Sequence, residues 1–352
     1  MAVLTTLHSI APRHRLTLAF ALLACLSALV LGGAVGVPSA FSAAAKKSRP
    51  KAHAAASSYL TGIADEETEM FTDPLWKQLN THITRYIAPY DAAVRPYSLT
   101  LATRWIHAAE AAHQQVLVSF YHSEYTPTKM PNIKTYEADT RKFMKDFPNV
   151  HQYQPWDETN RGNVRYSYEK YNSPTAVESA EYYKALRHVC PKCTILGLDI
   201  LDQNEVGPTL TYIAEFKAEL RHLRVPTPTL WGLHNYSDTN RFSSERTRAI
   251  LGVLPGDIWL TETGGIVKFG GAFPNVHGEG LKRAAKALSF MFAIASAHAR
   301  IKRLYIYQWT GGTASTIFDS GLTDAKHRPR PGYVIVCAHL HGKHCNVKVS
   351  SQ

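Results

Sequence analysis

From Tyr59 onward, short runs of apolar and β-branched residues alternate with longer stretches in which apolar positions recur every three to four residues. The first kind of run has the length and composition of a buried strand, the second the period of an amphipathic helix. Eight strands are predicted, over residues 59–64, 82–87, 115–121, 150–156, 194–199, 229–235, 257–261 and 303–309. Helices are predicted between them over 74–79, 99–114, 135–146, 174–189, 208–223, 243–251 and 279–298, with a last one over 331–341. Asp73 before Pro74 and Ser173 before Pro174 read as N-caps, each placing a side-chain acceptor beside a proline in the first turn. This alternation builds parallel βαβ units. An open doubly wound sheet would alternate as well, but a count of eight favours closure into a (β/α)8 TIM barrel, an α/β fold with one catalytic domain.

Composition fits that reading. The chain has 352 residues, 45% hydrophobic and 19% charged, enough apolar material for one large core and too ordered a mixture for a disordered or fibrous chain. The N-terminus is different in kind. Arg13 and Arg15 precede an uncharged apolar run over 16–31 and then small residues, with Ser42 and Ala44 suitably placed for cleavage after Ala44. Residues 1–44 therefore read as a signal peptide, 45–58 as an Ala/Lys/Ser-rich linker and 59–352 as the barrel domain. The alternative is an uncleaved anchor, but the run is shorter than the ~20 residues a spanning helix needs, so no stable membrane insertion is expected after cleavage. Cys25 sits in a faint lipoprotein-like context, which the apolar run overruns.

Export bears on the cysteines. Cys190, Cys193, Cys337 and Cys345 remain after cleavage, and their short spacings predict two local disulfides ahead of a redox pair or a zinc site. The net charge is +11, and the basic residues are scattered rather than striped. A solvated surface accounts for that, and no nucleic-acid partner is expected. A monomer is expected.

In a closed barrel the active site forms where the strands end, so the polar residues there are the ones to weigh. Strand four ends in Trp156, Asp157, Glu158, Thr159 and Asn160, and strand seven in Thr261, Glu262, Thr263, Gly264 and Gly265. Two carboxylates three strands apart can face one another across the barrel mouth. Cleavage of a glycosidic bond by double displacement needs such a pair about 5–5.5 Å apart, one attacking the anomeric carbon and one protonating the leaving oxygen. Glu262 is expected to stay ionised among hydrogen-bond donors. Glu158, beside Trp156 and near Glu262, is expected to have its proton affinity raised.

These strand ends, with residues 231–236 and 305–309, resemble the clan of retaining (β/α)8-barrel glycoside hydrolases, which carry an Asn-Glu pair ending strand four and a Glu ending strand seven. The resemblance covers nearly all of residues 59–341. It implies acid/base for Glu158, nucleophile for Glu262 and a β-linked oligo- or polysaccharide as substrate. The chain departs at Asp157, where the clan has the Asn that binds the sugar 2-hydroxyl. Further substrate-binding candidates are Arg85 on strand two, His122 after strand three, His234 and Tyr236 at strand six, and Trp156 and Trp309, the last as a flat face for a sugar. Each also has a structural reading: Arg85 could pair with Asp65 or Glu66, the histidines could be satisfied core groups, and the tryptophans could be packing. No cofactor is expected. A metal-dependent hydrolase is the competing enzyme class, since there are 17 His, but a His-Glu-x-x-His motif is lacking. A carbohydrate-binding barrel that has lost turnover is the competing non-enzyme class.

Overall fold

A computed structural model describes residues 59–163, 172–342, 345 and 347–349. The predicted signal peptide, the linker and Cys25 lie outside the described residues.

Eight parallel strands form the centre: β1 (Leu60–Ala64), β2 (Ile83–Pro89), β3 (Gln115–Tyr121), β4 (Gln152–Gln154), β5 in two segments (Thr194–Ile195 and Asp199–Leu201), β6 (Leu230–His234), β7 (Asp257–Thr263) and β8 (Ile301–Tyr307). Each pairs with its neighbours in sequence, and β1 pairs with β8. Closure runs through β5. Its first segment pairs with β4, and its second with β6. Between the two segments, Leu196 N–H donates to Tyr153 and Gly197 N–H donates to Leu230, on opposite sides. The ring is therefore a (β/α)8 barrel, as expected.

Around it lie α1 (Pro74–Leu79), α2 (Pro96–Ala111), α3 (Ile133–Asp146), α4 (Ala176–Val189), α5 (Val206–His222), the short α6 (Tyr236–Arg241), α7 (Glu245–Val253), α8 (Glu279–Ala297) and α9 (Pro331–His341). Asp73 caps α1, accepting from Leu75 N–H at 2.9 Å. The expected Ser173 cap is replaced. Thr175 begins α4 in a capping box with Glu178, whose side chain bonds back to Thr175 N–H. Pro174 thus precedes the helix instead of opening it. Elements beyond those predicted include α6, whose polar sequence carries no apolar period, and a two-stranded ribbon of Lys268–Phe269 with Phe318–Asp319.

The outward faces of the strands pack on the helices. Phe120 of β3, fully buried, lies flat on Tyr153 and edge-on to Tyr136 and Phe143 of α3. Burying a side chain of this kind contributes roughly 1.5–3 kcal/mol. The inward faces form layers. At the bottom the Arg303 guanidinium lies 4.0 Å over the Trp259 ring and donates to Gln152. Above it comes an apolar plug of Ile83, Leu117, Leu196, Trp259 and Tyr305. Above the plug the interior turns polar. Both cysteine pairs are closed locally, Cys190–Cys193 and Cys337–Cys345, with Cα separations of 5.3 and 6.0 Å.

Candidate active site

The polar layer is built from alternate inward positions of five strands: Arg85, Ser119, Gln154, Asp199 and Thr261. It needs one position without a side chain. A Cβ on Gly232 of β6 would come within 2.4 Å of Gln154 Nε2 and 2.5 Å of Asp199 Oδ1, so only glycine lets these groups meet.

Arg85 stands at the centre, fully buried. Its guanidinium donates to Glu262 Oε2 at 2.8 Å, to Asp199 Oδ2 at 3.0 Å, to Gln154 Oε1 at 3.2 Å and, in a short contact, to Asp157. It forms no ion pair with Asp65 or Glu66 among the described residues. Asp65 instead accepts from the backbone N–H groups of Glu67, Trp309 and Thr310, tying the ends of β1 and β8 together.

Two backbone devices bring the catalytic candidates to this centre. A regular strand sends successive side chains to opposite faces. In β7, however, Trp259 pairs with Gly232 and Glu262 with His234, so β7 holds one more residue than β6 over that stretch, and the register against β8 shifts likewise. The bulge lets both Thr261 and Glu262 point inward. Thr261 Oγ1 donates to Asp199 at 2.5 Å, while Glu262 reaches Arg85 and accepts from the Tyr236 hydroxyl at 3.1 Å. Past β4, Glu158 takes the left-handed conformation with φ 44°, so Asp157 and Glu158 both turn to the same cluster. Such a φ is uncommon in a non-glycine residue, and strain of this kind is held where the surroundings over-determine it.

His234 links the two glutamates. Its Nδ1 lies 3.1 Å from Glu158 Oε1 and 3.9 Å from Glu262 Oε2, and its Nε2 lies 3.1 Å from Asp199. Burial opposes a charge on this ring, but Asp199 and Glu262 outweigh it and raise its pKa well above the ordinary value. The carboxylates on either side of His234 therefore favour its protonated form. Burial also pushes Asp157 up to about 7, against the pull of Arg85 and His234. Asp199 moves the other way: burial is overcome by His234 and Arg85, and its carboxyl stays well below the usual range.

Glu158 departs from expectation. Burial raises its pKa, but the Arg161 guanidinium, in short contact with Oε2, and His234 together outweigh that and lower it. The expected effect of Glu262 and Trp156 is displaced by Arg161, three residues along the chain.

The remaining candidates divide. Tyr236 joins the cluster. It opens α6, which Asp202 holds by accepting from the N–H groups of Ser237 and Asp238 at 3.0 and 2.8 Å. His122 stands just past β3 against Tyr121, with Nδ1 3.1 Å from the Ser123 carbonyl oxygen, outside the network. Trp156 and Trp309 offer no open face. Trp156 is fully buried, stacked with Tyr182 and Tyr90 in the helix layer. Trp309 is equally buried, donating from Nε1 to Asp73 and packed edge-on to Tyr333 of α9. The sugar platform expected at Trp309 is replaced by core packing, because both rings lie on the outward side of their strands' ends.

Asp157, His234 and Glu262 offer ligand atoms within 4.8 Å of one another, close enough to hold a metal ion. The Arg85 guanidinium already donates to both carboxylates and stands 3.4 Å from His234 Nε2. A divalent ion there would face the guanidinium that already occupies these ligand atoms, so the residues present do not fit a metal.

No protein-family model matches the chain, and no curated protein sequence matches it. Solved structures do. An endo-1,4-beta-xylanase XylE from Penicillium canescens is 14% identical, with 82% of this chain and 96% of that one covered at a TM-score of 0.57. Native xylanase 10B from Thermotoga maritima is 17% identical, covering 81% and 95%, with a TM-score of 0.55. GH5_18 from Streptomyces cattleya, solved with GlcNAc, is 13% identical, covering 81% and 80%, with a TM-score of 0.58. At these identities the likeness is one of fold: the chain has the barrel of these glycoside hydrolases over most of its length.

Proposed function

We propose that the protein is an exported retaining glycoside hydrolase that cleaves β-linked glycans or glycosides by double displacement, with Glu262 as nucleophile and Glu158 as acid/base. The observation that carries this reading is that glutamates from β4 and β7 converge on one imidazole nitrogen. With oxygens 3.1 and 3.9 Å from that nitrogen, the pair fits the ~5–5.5 Å separation of retaining enzymes and falls short of most of the ~6.5–9.5 Å inverting range.

Arg85 and Tyr236 donate to the two Glu262 oxygens and orient it as an anion for attack on the anomeric carbon. The leaving oxygen takes its proton from Glu158. In the free site that proton is held by His234, whose Nδ1–H points at Glu158 Oε1, and Glu158 can accept it once substrate separates its other oxygen from Arg161. The glycosyl ester on Glu262 is then hydrolysed by a water that Glu158 deprotonates. Export rests on the apolar N-terminal segment and the two disulfides.

The test is hydrolysis of aryl β-glycosides and a panel of β-glycans, β-1,4-xylan first because xylanases share the fold, with and without chelator. Turnover indifferent to chelator supports the reading, and turnover abolished by chelator contradicts it. The Arg161–Glu158 contact favours one second reading, glycan binding without turnover. Saturable binding with no hydrolysis in the same panel would establish that instead.

A further inference from the structure

Glu158 serves as an acid only while it holds a proton, and the residue that opposes this is fixed beside it. Arg161 meets Glu158 Oε2 in a short ion pair, with both side chains buried. His234 approaches the other oxygen, Oε1, and leads on to Glu262. Arg161 therefore stands across the acid from the nucleophile. The retained sugar sits over Glu262 and the acid meets the leaving oxygen, so Arg161 lies on the leaving group's side. The turn that carries it is tied to β5. Thr159 N–H donates to the Asp199 carbonyl at 2.9 Å, and the Asn160 side chain accepts from Leu201 N–H and donates to the Leu201 carbonyl, both at 2.8 Å. Gln203 donates to the Asn160 carbonyl at 2.6 Å. With its backbone held this way, Arg161 leaves Glu158 only by turning its side chain. The hydroxyls of a neutral sugar are weak replacements for a carboxylate at a guanidinium.

We propose that the unit on the leaving side of the scissile bond is a uronic acid, whose carboxylate binds Arg161 and draws it from Glu158. The inference rests on the function proposed above and names its substrate class. A guanidinium carries five N–H donors in a planar fork and pairs with carboxylates through two parallel bonds, so a second carboxylate beside Arg161 competes with Glu158 for it. The incoming charge acts in the same direction even while the Arg161–Glu158 contact persists. A second anion near Glu158 raises that carboxyl's proton affinity, against the lowering that Arg161 and His234 impose. Arg85, at the centre of the same site, is already closed in by Asp157, Asp199 and Glu262 and offers an anionic sugar no comparable contact. The acid is thus armed on a glycan whose leaving unit is charged.

The test begins with 2,4-dinitrophenyl β-glycosides of glucose, xylose and mannose, whose leaving group needs little acid assistance. They show which glycone the wild type accepts, with Glu262→Gln as the inactive control. Two β-1,4-disaccharides of that glycone are then compared, one with glucuronic acid and one with glucose as the leaving unit. At pH 7 the wild type should favour the acidic disaccharide by about tenfold or more in kcat/KM, the effect of one charge-assisted hydrogen bond. Arg161→Gln should abolish the preference, slowing the acidic disaccharide and speeding the neutral one. In the wild type the basic limb of the kcat profile should also lie at higher pH for the acidic disaccharide, and this comparison decides if Arg161→Gln fails to fold. Equal or reversed preference in the wild type, a preference that survives in Arg161→Gln, or coincident basic limbs overturns the inference and leaves the hydrolase reading standing. Cleavage of a dinitrophenyl glycoside with neither disaccharide touched does the same. A wild type as inactive as Glu262→Gln on every dinitrophenyl glycoside overturns the hydrolase reading, and the inference with it.

Discussion

Replacing Arg85 by Met removes the cation on which the interior of the barrel depends while keeping most of its bulk. In the wild type the guanidinium faces Glu262, Asp157 and Asp199, all buried. At about 4 Å between charge centres and an effective dielectric constant of about 20, each pair is worth roughly 4 kcal/mol, much of it offset by the desolvation of the charges. Truncating one partner leaves the others buried and uncompensated, for a net loss of about 3–5 kcal/mol. In a domain this large that lowers the unfolding temperature by roughly 10 °C. The pH dependence separates this cause from lost packing. Asp199 has a depressed pKa in the folded wild type, so its contribution is present above the unfolded value of about 3.9 and lost as pH falls. Without Arg85 the carboxyl cluster must take up protons on folding, so the folded variant binds more protons than its unfolded chain, and its stability falls as pH rises from about 4 to 7. Calorimetric unfolding at pH 5 and pH 7 should therefore show a much smaller deficit at pH 5. An equal deficit at both pH values, or one below about 2 °C, would refute the electrostatic account.

Asp157→Asn removes a buried acid whose pKa is pushed up to about 7. A raised acid binds a proton in the folded state that the unfolded chain has released, so it lowers stability as pH rises from about 4 to 7. The Asn variant should lose that decline, which unfolding midpoints across the range will reveal. Arg161→Gln withdraws the cation that lowers Glu158, so the acid should hold its proton to higher pH and the basic limb of the kcat/KM profile should move upward. Tyr236→Phe removes the donor to Glu262 Oε1 and should reduce kcat/KM for neutral aryl β-glycosides by about tenfold.

The barrel was legible because its signals are local. β3, α1 and α9 lie at their predicted bounds, and the rule that strand ends share one rim put Glu158, Glu262, His234 and Tyr236 among the candidates, with Arg85 from within strand two. What escaped depends on pairing across the ring. Asp199 ends the predicted span of strand five, yet its role follows only from Arg85 and His234, each brought to it by closure of the barrel. The bulge in β7 is a one-residue mismatch with both neighbouring strands, which no single strand's pattern records. The same loss of parity hid the outward direction of Trp156 and Trp309. Glu66 and Tyr307 meet because β1 pairs with β8, from opposite ends of the domain. Arg161 was within reach, since it stands three residues from Glu158, but the left-handed turn that brings the two together was not.

The division of labour between the two glutamates is tested most directly by the product that Glu158→Ala makes from an activated aryl β-glycoside in the presence of azide. Such a substrate needs little proton donation, so the Glu262 ester should form and accumulate, and azide, which needs no general base, should enter the space left by the missing side chain. The account predicts slow turnover without azide, restored turnover with it and a β-glycosyl azide as product. Full activity of Glu158→Ala without azide, or an α-glycosyl azide from that variant, would contradict it.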